Sequence, residues 1–119
     1  MAEQKIIVYD IVSGKAAVAT EDGEKLFEKL TSILANNNVA ILDFENIDAL
    51  TSTFLNAAIG QLYNKFDSPF LQTHLKPINM SPEDTELLKR VIDRAKQYFK
   101  DKRSIEKPIK DAMDEEQDS

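Results

Sequence analysis

Between Lys5 and Val12 the chain is almost wholly aliphatic and aromatic, and Ser13-Gly14 breaks the run before Lys15–Thr20. This pattern predicts a strand, a tight turn and a second, weaker strand. From Glu24 the period changes. Leu26, Phe27, Leu30, Ile33 and Leu34 recur at helical spacing and Asn36-Asn37-Asn38 closes the series, so a helix packed on a sheet is expected. Val39 to Phe44 is a nearly unbroken hydrophobic run, as in a central strand covered on both faces. Leu55, Ala58, Ile59, Leu62, Tyr63 and Phe66 mark the core face of a second helix, with Gly60 on its other face.

Asp67-Ser68-Pro69 predicts a stop and turn, and residues 71–79 alternate well enough for a strand that Pro77 places at an edge or at its own end. Ser81-Pro82-Glu83-Asp84 predicts a helix start, with a capping hydroxyl, proline at the first position and acids in the first turn. Leu87, Leu88, Val91, Ile92, Ala95, Tyr98 and Phe99 form the apolar stripe of that helix to about residue 100. The period then fades, and residues 103–119 are expected to be an acidic, disordered tail. The expected fold is therefore α/β, a small mixed β-sheet of about four strands with three helices packed mostly on one face, over residues 1–102.

Chemistry concentrates where the central strand ends and the second helix begins. Thr51, Ser52 and Thr53 stand at that junction, and one of them is expected to cap the helix by accepting a bond from a first-turn N–H. The same place favours an anion, carried on a ligand or attached covalently to one of the hydroxyls. The residue types alone leave both readings open.

A hydrophobic strand ending in Asp43, a short polar connection, hydroxyls and then a helix resembles the central motif of STAS domains. In bacterial anti-sigma-factor antagonists the motif is roughly Asp-Ser-Ser/Thr-Gly-Leu, and the hydroxyl before the glycine is the regulatory phosphorylation site. The matching positions here are Thr51, Ser52, Thr53, Phe54 and Leu55. More closely, Leu42-Asp43-Phe44-Glu45-Asn46-Ile47 followed by Leu50-Thr51-Ser52-Thr53-Phe54-Leu55-Asn56 resembles a bacterial STAS-like family of largely uncharacterised role, over about residues 5–100. The chain departs from the antagonist motif twice: Thr51 stands where the acidic residue would be, and Phe54 where the small glycine would be.

The formal net charge of −6 argues against a nucleic-acid binder, and the basic residues of the last helix are interleaved with acids. Cysteine is absent, which removes thiol chemistry and cysteine-ligated metals and suits a reducing cytoplasm. The first ten residues carry charge and read as a strand, so neither a signal peptide nor a membrane span is expected. No catalytic motif occurs, and the single imidazole, His74, reads as a surface or half-buried group. Asp10, Asp43, Glu45 and Asp48 could gather around a hard cation, though solubility at strand ends explains them more readily. Asp43, Thr51 or Ser52, and Lys76-Pro77 resemble the working residues of a response-regulator receiver, but the early hairpin signal and the few crossover helices do not fit it.

The expectation is a non-enzymatic regulatory module that needs no cofactor. The resemblance to antagonists implies a kinase-type ATPase as partner, met through the loop before the second helix and the helix itself. By position that surface comprises Asp48, Asn56, Ala57, Gly60 and Gln61, with Thr51, Ser52 and Thr53 as the candidate phosphorylation or anion site. Two alternatives stand beside it: an assembly domain that homodimerises through a sheet edge or the Gly60 face, and an acidic antitoxin-like protein that binds through its tail.

Overall fold

In the computed structural model, which describes residues 2–115 and the side chains of residues 2–100, the hydrophobic run Val39–Asp43 is the middle strand of a three-stranded sheet. The elements follow in the order β1 (Glu3–Ile7), α1 (Val8–Val12), β2 (Ala16–Ala17), α2 (Thr20–Ala35), β3 (Val39–Asp43), β4 (Ala49–Leu50) and α3 (Ser52–Ala58). A 3-10 helix (Gly60–Asn64), α4 (Ser68–His74), β5 (Leu75–Ile78) and α5 (Pro82–Glu115) complete the chain. The strand order is β1-β3-β5, and both pairs are parallel. A separate parallel ladder joins Ala16 to Ala49 and Ala17 to Leu50. The expected mixed sheet is thus corrected to two parallel sheets with five strands among the described residues. Helix α5 continues to Glu115, past residue 100 where its apolar stripe ends, and the side chains of the acidic segment expected from residue 103 lie outside those described.

Register assigns the faces. Ile6 lies beside Leu42, and Ala40 beside Leu75; all four belong to the buried core with Leu26, Leu30, Phe54, Leu62 and Val91. The opposite face carries Ile7, Ile41 and Ile78, of which Ile7 and Ile78 are exposed and none joins the core. The central strand is nonetheless covered on both faces, as expected: Ala40 and Leu42 face the core, while on the other face Val39 and Asp43 are buried and Ile41 is half-buried. The outer strands differ, since Ile7 and Ile78 leave that second face exposed at both edges.

Three expected elements change character. The early hairpin does not form, because residues 8–12 are helical: Val8, Ile11 and Val12 recur at i, i+3 and i+4 and turn toward the core, and Ser13 closes the turn in the left-handed conformation. Residues 68–74 are a helix where a turn and the start of a strand were expected. Asp67 caps it by accepting from the Phe70 N–H at 3.1 Å, and only Leu75–Ile78 is extended. Helix α3 gives way after Ala58 to a 3-10 turn, so the second helix is shorter than its apolar stripe. Ser81 does cap α5, accepting from the Asp84 N–H at 3.1 Å, and Pro77 does sit in an edge strand.

Candidate functional site

The three hydroxyls at the start of α3 separate into different roles. Ladder bonds hold the entry to the helix, with Asp48 N–H donating to the Lys15 carbonyl at 2.8 Å and Thr51 N–H to the Ala17 carbonyl at 3.2 Å. Thr51 thereby arrives in extended conformation as the cap residue. Its Oγ1 accepts from the Phe54 N–H at 3.2 Å and donates to the Val18 carbonyl at 3.1 Å. The Thr51 hydroxyl is occupied in both directions. Ser52 is half-buried, whereas Thr53 is exposed, and neither side chain has a hydrogen-bond partner among the described residues.

Thr53 opens onto a groove of about 530 Å³ between α2 and α3. Thr20, Glu24 and Phe27 form one wall, Thr53, Asn56 and Ala57 the other, and Gln61 closes the end. The walls stand close because Gly23 has no side chain: a Cβ there would lie 2.7 Å from both the Ala57 Cβ and the Phe54 carbonyl oxygen. Asn56 and Gln61 also border a second hollow of about 260 Å³, shared with Gly60 and with Arg94, Ala95, Tyr98 and Phe99 of α5. They therefore form a polar ridge between two partly apolar depressions.

The structure brings Thr53, Asn56, Ala57 and Gln61 of the expected surface together. Asp48 stands apart, exposed and 3.9 Å from Lys15 in a surface ion pair. Gly60 is buried: a Cβ on it would lie 3.7 Å from Val91 and 3.8 Å from Ala95, so it serves the packing of α5. The α2 and α5 walls were not anticipated. Their signals in the sequence were faint: a glycine at the head of the α2 stripe and the aromatic pair Tyr98-Phe99.

The remaining candidates have structural employment. His74 is buried and stacked on Phe70 with ring centroids 3.9 Å apart; its Nδ1 meets the Phe70 carbonyl at 2.9 Å and Thr73 Oγ1 at 2.7 Å, and its Nε2 meets Asn37 Oδ1 at 3.0 Å. Asp43 is buried at the end of β3. It accepts from the Asn79 amide and the Glu45 N–H, each at 2.9 Å, and pairs with Lys5 at 3.3 Å. The Asn79 bond foremost, opposed by burial and aided by the Glu45 N–H and Lys5, holds its carboxyl below the ordinary value. Among the described residues no three His, Cys, Asp or Glu side chains are grouped to hold a metal ion. No helix among them is long and apolar enough to cross a membrane.

Residues 22–85, from the first turn of α2 to the first turn of α5, match the family described as "STAS-like domain of unknown function (DUF4325)". No curated protein and no solved structure matches the chain.

Proposed function

Because the chain belongs to the family of STAS-like domains of unknown function, we propose that it is a non-enzymatic regulatory module that offers the α2–α3 groove to a protein partner, with Thr53 as the hydroxyl that switches binding. The carrying observation is the division of labour at the helix start. Thr51 is engaged as cap, while Thr53 is exposed inside the groove and without a partner among the described residues. Phe54, which stands where antagonists carry glycine, is fully buried and so does not screen Thr53 from an approaching kinase. A phosphate on Thr53 would add a charge of about −2 to a groove that already contains Glu24, and a partner seated there would be repelled. The resemblance to antagonists favours a kinase-type ATPase as that partner.

The test captures partners from extract of the native host on tagged wild type, Thr51→Ser, Thr53→Glu and Gln61→Arg, with ATP present and the phosphate located by mass spectrometry. The expected result is one phosphate on Thr53 and a protein held by wild type and Thr51→Ser but reduced at least about tenfold on the other two, as a buried charge in an interface requires. Equal recovery on all four baits would overturn the reading.

A further inference from the structure

We propose that β1 is a pairing edge on which a second copy of this chain lays its own β1 antiparallel, with the twofold axis at Gln4. The premise is the direction of the backbone groups. Along a strand in a parallel ladder, alternate residues send both N–H and C=O toward the neighbour and both away from it. The Val39 N–H donates to the Ala2 carbonyl at 2.8 Å, and Glu3 stands in register with Val39. Ala2, Gln4 and Ile6 therefore serve β3, while Glu3 and Lys5 direct their N–H and C=O groups outward. Glu3, Gln4 and Lys5 are all exposed.

The other edge of the sheet has no such donors. The Phe44 N–H donates to the Ile78 carbonyl, so Lys76 and Ile78 serve β3, and the outward residues are Leu75 and Pro77. Proline has no N–H, and the Leu75 N–H already donates to the Leu71 carbonyl at the end of α4. In this sheet, among the described residues, only β1 can accept another strand.

Charge selects the occupant and the register. An antiparallel strand exchanges bonds between outward residues, so among the registers centred on the exposed Glu3–Lys5 segment a twofold axis sets Glu3 opposite the partner's Glu3, Lys5 opposite the partner's Lys5, or Glu3 opposite the partner's Lys5. Only the last opposes unlike charges, and symmetry makes the pairing occur twice. It also forms four N–H···O=C bonds and leaves Gln4 facing the partner's Gln4 as a non-hydrogen-bonded pair. The Glu3-Gln4-Lys5 edge is thus complementary to itself. The product is one six-stranded sheet, parallel within each copy and antiparallel at its centre. The contact is short, so the dimer is weak and dissociates on dilution.

Sedimentation equilibrium of the full chain, from roughly 10 µM to 1 mM, tests this. Wild type is expected to pass reversibly from monomer to dimer. Glu3 has no ion pair among the described residues, so Glu3→Lys should melt as wild type does yet dimerise at least about tenfold more weakly, with lysine opposite lysine. Gln4→Cys places two thiols on Cα atoms about 4.5 Å apart, within disulfide reach, in a chain that otherwise has no cysteine. Mild oxidation should cross-link it and leave a Lys29→Cys control on α2 monomeric. A monomer throughout the range, unchanged dimerisation of Glu3→Lys, or cross-linking of Gln4→Cys no faster than the control would each overturn the proposal. The β1 edge and the α2–α3 groove share no residue, so either can fail without the other.

Discussion

At Thr51 one oxygen accepts a helix N–H and donates its own proton to the Val18 carbonyl just after β2, which makes this threonine worth more to the fold than its neighbours. Thr51→Ala should cost about 1 kcal/mol in denaturant unfolding, and Thr51→Ser much less. Thr53→Ala, on an exposed side chain without partners, should stay within about 0.5 kcal/mol of wild type. Gly23 is a sharper case. Alanine there gains up to about 1 kcal/mol of helix propensity, but its Cβ would meet the Phe54 carbonyl at 2.7 Å, where backbone cannot step aside. Overpacking of this kind costs about 1–3 kcal/mol, so Gly23→Ala should lower the unfolding midpoint and part α2 from α3. Gly60→Ala meets only ordinary contacts and one flexible Asn56 side chain, and should be tolerated.

At the scale of elements, α4 depends on its cap. Asp67→Ala should cost about 1 kcal/mol in the same unfolding experiment, with Asp67→Asn restoring most of it. The same residues explain why α4 was misread: Asp-Ser-Pro is both a turn signal and a helix N-terminus, and only the burial of Leu71 and His74 decides between them. The Val8, Ile11 and Val12 spacing was present in the sequence but masked by β-branched composition, which favours a strand until tertiary packing overrides it. α2, β3 and the Ser81 cap were legible because each carries a sustained period or a complete start signal. The two-residue strands β2 and β4 carry neither, so nothing in the sequence announced the ladder that positions Thr51. Of the candidate surface, Thr53, Asn56, Ala57 and Gln61 were legible as one helix face. The burial of Gly60 under α5 and the pairing of Asp48 with Lys15, outside the groove, were not legible, because both depend on distant chain.

Across the whole molecule, Asp43 ties Lys5 of β1 and Asn79, just after β5, to the end of the central strand. Its folded pKa lies below the ordinary 3.8. The stability it contributes is therefore fully present above that value and is lost as pH falls through the folded one. Asp43→Asn should lower the melting temperature at neutral pH and narrow the gap from wild type as the solution is acidified below about pH 3.8, measured by thermal melts along a pH series.

The strand registers have a last consequence, for time. Glu3 pairs with Val39 and Ala40 with Leu75, so each half of the three-stranded sheet joins positions about 35 residues apart. Closing such loops consumes chain entropy before any contact compensates for it. A helix-rich domain of this size would otherwise fold in microseconds, but this one should refold in milliseconds or slower, as stopped-flow fluorescence of an introduced tryptophan would record. On a ribosome the sheet cannot be completed until β5 has emerged, and through that interval β3 waits with one side unpaired.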